Sequence, residues 1–175
     1  MGAMEADPLQ VVAVETERYV ARGGWDQPAR LFALVPTHEL AASAPSLDGA
    51  AEAGPQDLSA VEQDGFDPGD DLQGALLRIM WPEAVHGVAL SIERIVLPPG
   101  AEAELAGGDS IDRLQKHPER KDVRLVVAVL RDGRSICLLR QRAYDSDDMV
   151  AMSPDLAAGL VEALAATLRE DAPQR

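Results

Sequence analysis

Residues 123–142 read VRLVVAVLRDGRSICLLRQR, and this stretch decides the fold class. Two runs rich in β-branched and apolar residues flank Asp132-Gly133. A two-residue type I′ turn needs φ > 0 at both central positions, and Asp-Gly is a pair that tolerates it. With that turn, Val129 is expected opposite Ile136, Ala128 opposite Cys137, Val127 opposite Leu138 and Val126 opposite Leu139. Both faces of the hairpin come out apolar. That predicts a central hairpin covered on both sides, since a solvated edge keeps one face polar.

Upstream, residues 85–97 change to period two, with Val88, Leu90, Ile92 and Val96 on one face and Ser91 and Glu93 on the other. Pro98-Pro99-Gly100 ends that strand, and residues 30–35 form a shorter one stopped by Pro36. Asp7 and Pro8 supply an N-cap and first-turn proline for a helix carrying Leu9, Val12, Thr16, Tyr19 and Val20 on one face. Gly23-Gly24 closes it. Asp70 or Asp71 caps a second helix striped by Leu72, Leu76, Ile79 and Met80, which ends at Trp81-Pro82. A short helix is expected over 109–115. Ser153-Pro154-Asp155 opens the last one, whose buried stripe is Leu156, Leu160, Val161, Leu164 and Leu168.

The fold class is therefore α+β: a three- to four-stranded, mainly antiparallel sheet with a central β-hairpin, flanked by N-terminal and C-terminal helices. Residues 1–6 read as a disordered or tag-derived N-terminus. Residues 7–171 read as a single α+β domain, with 43–69 as a mobile acidic loop of Ala, Gly, Pro, Ser and carboxylates.

Charge narrows the function classes. The net charge of −14 is unevenly placed: residues 44–75 hold eight carboxylates and no Lys or Arg, whereas 113–142 hold nine cations. An acidic chain with few aromatics is a poor partner for nucleic acid, which needs phosphate contacts and stacking rings. No apolar run approaches the roughly 20 residues of a membrane helix, so membrane insertion is not expected. The single Cys137, in mid-strand, cannot make a disulfide framework and points to a reducing, cytoplasmic location.

Motifs for chemistry are sparse. His38, His86 and His117 lack the His or Cys neighbours a zinc site requires, so no metal is expected. The cluster Asp145, Ser146, Asp147 and Asp148 lacks the glycine and terminal glutamate of a calcium loop and reads as a solvated turn. No nucleophile elbow, phosphate loop or dinucleotide fingerprint occurs. No catalytic residue and no cofactor are assigned, and the chain reads as not an enzyme.

The candidate binding residues are cations and indoles. The arginines Arg113, Arg120, Arg124, Arg131, Arg134, Arg140 and Arg142 form a cluster, with Arg124, Arg140 and Arg142 on the hairpin strands as its candidate contacts, that could receive an acidic peptide or a phosphate. The blander reading is a solvated rim, or pairing with the acidic loop. Trp25 and Trp81 each stand where an element ends, placed either to wall a pocket or to cover the core.

The stretch GWDQPARLFALVPT at 24–37 resembles the signature of a small actinobacterial family of uncharacterised proteins. Trp81-Pro82, residues 93–102, His117-Pro118-Glu119-Arg120 and residues 129–133 extend the likeness in order. The resemblance covers residues 9–170 outside the acidic loop and implies no reaction, cofactor or catalytic group. In element order the chain is also similar to type III secretion chaperones, an analogy of fold alone. The expectation is a non-enzymatic cytosolic binding or adaptor protein, chaperone-like in one form, holding an unknown protein partner. A homodimer is left open. The alternative is a small-molecule binder or enzyme with its pocket near Trp25, Trp81 and the sheet.

Overall fold

The computed structural model describes residues 7–39, 57–69, 71–96 and 121–169. Helix α1 spans Pro8–Ala21, with the Asp7 carboxylate accepting from the Leu9 N–H. Strands β1 (Arg30–Pro36) and β2 (Leu58–Glu62) follow, then the short helix α2 (Leu72–Leu77), capped by Asp71 through the Gly74 N–H. Strands β3 (Gly87–Val96), β4 (Lys121–Leu130), β5 (Ser135–Gln141) and β6 (Ala151–Ser153) precede helix α3 (Ala158–Leu168). The strands form one open antiparallel sheet in the order β2-β1-β3-β4-β5-β6.

Alternation along the central strands builds two cores. Phe32, Leu34, Ala89, Val126, Ala128, Ile136 and Leu138 meet Leu9, Val12, Ala13 and Val20 of α1. On the other face Leu31, Val88, Leu90, Leu125, Val127, Val129 and Cys137 meet Leu76, Leu164 and Leu168 of α2 and α3. A sheet buried on both sides explains why β4 reads as an unbroken apolar run. Gly87 permits a close approach: a Cβ there would lie 2.6 Å from both Leu130 Cδ2 and the Val129 carbonyl.

Among the described residues the sheet has six strands, more than the three to four expected. The two missed are short edge strands. β2 lies inside the segment read as the acidic loop 43–69, where Leu58 and Ala60 pack on the α1-side core while Glu62 holds Arg30. The remainder of that loop up to 56 lies outside the described residues, as do residues 1–6 and the helix expected over 109–115.

The hairpin register also differs by one residue. The pairs are Val129 with Ser135, Ala128 with Ile136, Val127 with Cys137 and Val126 with Leu138. Leu130 and Arg134 close a three-residue loop, with the Leu130 N–H donating to the Arg134 carbonyl at 2.9 Å and Gly133 at φ 96°. A left-handed glycine in the last loop position is the three-residue alternative to the type I′ turn. Hydrophobicity could not separate the two registers, because a slip exchanges one apolar face for another.

Two helix boundaries move as well. Ser153 belongs to β6, its hydroxyl accepts from the Asp155 N–H in a turn, and α3 starts at Ala158. Leu156 therefore precedes the helix instead of lining it. Because α2 ends at Leu77, Met80 leaves the stripe and faces solvent.

Candidate functional site

Antiparallel pairing sets Arg124 of β4 opposite Arg140 of β5, on the face that α1 covers. Arg140 is only 2% exposed, and Glu17 from α1 matches it at 2%. The Arg140 Nε and Nη2 donate to the two Glu17 oxygens at 2.6 and 2.7 Å, the bidentate geometry that a guanidinium fork favours. Its Nη1 reaches Asp145 at 3.0 Å and its Nη2 reaches Asp147 at 2.7 Å. The Glu17 carboxylate and burial act oppositely on Arg140, and the hydrogen bonds win, raising its pKa further. In return, Asp147 is held below the usual carboxylate range by Arg140, and Asp145 by the Trp25 indole N–H and then Arg140.

Arg124 is wholly buried. Its Nη2 donates to Glu93 at 3.0 Å and to the Gly24 carbonyl, while Nε and Nη1 have no hydrogen-bond partner among the described residues. The Trp25 ring lies over this guanidinium, with its centroid 4.4 Å from Cζ. Arg142 approaches the same ring at 5.7 Å and grips Asp26 with Nη1 at 2.9 Å and Nη2 at 3.1 Å. Asp122 lies 3.7 Å from Arg142.

The expected arginine rim is thus corrected. Arg124 and Arg140 are interior groups, whereas Arg142 and Arg134 reach solvent. The structure pairs Arg140 with Arg124 across the hairpin, whereas the two-residue turn would have put it opposite Leu125. Their carboxylate partners come from α1, β3 and the 145–147 turn. Within the described part of the acidic loop, Glu62 holds Arg30 instead. The turn at 145–148 is in part a counter-charge for Arg140, which its composition alone could not reveal.

Trp25 and Trp81 lie on opposite faces of the sheet. Trp81 belongs to the α2–α3 side, where its Nε1 donates to Thr167 at 3.0 Å. Trp25 lies on the α1 side with the buried arginines. Arg131 clasps the Trp81 end: its guanidinium donates to the carbonyls of Trp81, Pro82, Val85 and Leu168.

A cleft of about 570 Å³ opens at the end of the sheet between β1, β2 and the β4–β5 turn. His38, Glu83 and His86 line it, and its cations Arg131 and Arg134 are spent on carbonyls and on Asp132 and Asp7. Among the described residues no group of three or more His, Cys, Asp or Glu is placed to hold a metal ion, and no helix is long and apolar enough to cross a membrane.

At the opposite margin of the sheet, β6 pairs with β5 on one side only among the described residues. Met152 on this strand (44% exposed), and Tyr144 (57%), Met149 (52%) and Leu156 (39%) in the segments that lead into and out of it, are open to solvent. Sequence reasoning missed this apolar margin because Leu156 was assigned to a buried helix stripe and β6 was not foreseen.

The chain belongs to the family described as PPA1309-like protein, whose family model matches residues 9–169. It is a family of uncharacterised proteins whose name suggests an actinobacterial origin, in keeping with the resemblance carried by residues 24–37. No curated protein and no solved structure matches the chain.

Proposed function

We propose that the protein is a non-enzymatic cytosolic adaptor, chaperone-like in that it holds an extended segment of a partner protein along β6. The observation that carries this reading is the exposure of Tyr144, Met149, Met152 and Leu156 on and beside a strand that, among the described residues, is paired on one side only. An open strand edge offers backbone donors and acceptors, and flanking side chains select what pairs with it. Exposed methionines suit such a surface because their unbranched side chains adapt to different apolar contacts. Asp148 and Asp155 are exposed beside the margin, and the whole chain is strongly acidic. Charge complementarity thus favours an occupant that alternates apolar and basic residues.

The test uses a synthetic peptide alternating Val and Lys over nine residues, titrated into the full chain and followed by backbone NMR. Expected shifts fall on β5, β6 and residues 144–156. Met149→Ser combined with Met152→Ser should weaken binding while leaving the thermal melt in place. A peptide that shifts nothing, or that binds the double variant as well as the parent, overturns the reading. Concentration-dependent self-association through the same residues would assign the edge to a second copy of this chain instead.

A further inference from the structure

The segment Gly24-Trp25-Asp26-Gln27 crosses Arg124 as a strap fastened through polar contacts. The Asp26 and Gln27 N–H groups donate to Glu93 at 2.9 and 3.0 Å. The Trp25 Nε1 donates to Asp145 at 2.9 Å, and the Gly24 carbonyl accepts from Arg124. Asp26 sits at φ 67°, a left-handed conformation that aspartate tolerates better than most non-glycine residues. Beneath the strap lies a cation buried to 0% exposure, with two nitrogens unpartnered among the described residues. Buried donors without acceptors are rare and call for an explanation.

We propose that Arg124 and Arg142 form the floor of a binding site for a small aromatic carboxylate, held shut by Trp25 and Asp26 standing in the ligand's place. The strap itself displays the recognition chemistry. One residue presents a flat ring to Arg124 at 4.4 Å and to Arg142 at 5.7 Å. The next presents a carboxylate that takes both terminal nitrogens of Arg142. A planar acid could take the same two places, its ring stacked on Arg124 and its carboxylate paired bidentately with Arg142. Displaced, the Asp26 carboxylate returns to water at little cost, because its side chain is already 76% exposed.

Charge selects the ligand class. Exchanging the Asp26 carboxylate for that of a ligand leaves the local balance unchanged. A dianion such as phosphate would add charge among Glu17, Glu93, Asp122, Asp145 and Asp147, which already surround the three arginines. Closure lowers the apparent affinity to the intrinsic one multiplied by the fraction of molecules with the strap open, so loosening the strap should tighten binding.

Asp26→Asn tests this without disturbing the backbone, since asparagine accepts the left-handed conformation. Phenylacetate is titrated into the full chain at constant ionic strength while the indole N–H signals of Trp25 and Trp81 are followed, assigned with Trp81→Phe. The Trp25 signal should move and the Trp81 signal should not. Asp26→Asn should bind roughly tenfold more tightly than the parent, and Arg142→Gln roughly tenfold more weakly. Acetate, which lacks the ring, and benzyl alcohol, which lacks the charge, should each fail to reproduce the shift at equal concentration. A Trp25 signal unmoved in both the parent and Asp26→Asn overturns the proposal. So does acetate acting as well as phenylacetate, or Arg142→Gln binding like the parent.

Discussion

Arg140 and Glu17 face each other across the α1–sheet interface as a bidentate pair in which each residue is 2% exposed. Two charges taken out of water are compensated only while both are present. Arg140→Met should therefore destabilise the fold by about 3–5 kcal/mol, since it strands the Glu17 carboxylate in the core. Arg140→Met with Glu17→Leu should recover much of that loss in a urea-denaturation cycle. Independent, additive costs would show that the pair is not coupled. The same burial means that reversing the charge at Arg140 reads folding and says nothing of partner capture.

Leu138 is 1% exposed in the α1-side core, opposite Val126. Leu138→Ala should cost about 2–5 kcal/mol, combining the lost transfer energy with a cavity that β4 and α1 can only partly fill. The denaturant midpoint measures it, and a midpoint equal to the parent's would mean that this face is loosely packed.

The acidic loop illustrates what the sequence could and could not carry. A loop of this composition would tolerate exchange of residues 46–66 for a Gly/Ser linker, but β2 lies within them. The exchange should lower stability by on the order of 2 kcal/mol, through lost burial of Leu58 and Ala60 against the α1-side core. Retaining Leu58–Glu62 while replacing 46–56 is the matched comparison. Equal midpoints for the two variants would make β2 dispensable.

Long periodic elements were legible for a physical reason. In α1, β3 and the hairpin, burial on a fixed face repeats often enough for period and capping residues to agree. β2 and β6 were not legible, being five and three residues long, too short for an alternation to stand out. The Arg124–Trp25 contact spans about a hundred residues, so no local spacing announces it. Two functional suspects, Arg124 and Arg140, turned out to be interior because a charge run is blind to which face its partners occupy.

Three carboxylates in this region make a pH prediction. Asp26 is held below its ordinary pKa by the hydrogen bond from Arg142, Asp145 by those from Trp25 and Arg140, and Asp147 by that from Arg140. For a depressed carboxylate, the stabilisation is complete above its unfolded pKa and is lost as pH falls through the folded one. The urea midpoint should therefore hold steady down to about pH 5 and fall below pH 4. Asp145→Asn should flatten that acid limb. A limb of unchanged steepness would assign the acid sensitivity to other groups.

Arg131 offers the sharpest test of what an arginine does here. It joins the β4–β5 turn to the segment 81–85 and to the last turn of α3 through four carbonyls that would otherwise lack this donor. A planar fork can reach several acceptors at once, whereas a lysine offers a single point of charge. Arg131→Lys should thus lose most of the clasp despite keeping the charge. The expected cost is about 1.5–3 kcal/mol, in the range of hydrogen bonds to charged groups. Amide hydrogen exchange localises it: protection should fall at residues 164–168, while β3 and β4, paired on both sides, keep theirs. Unchanged exchange at the end of α3 would show that apolar packing of Leu164 and Leu168 alone docks the helix, leaving Arg131 free for a role outside the fold.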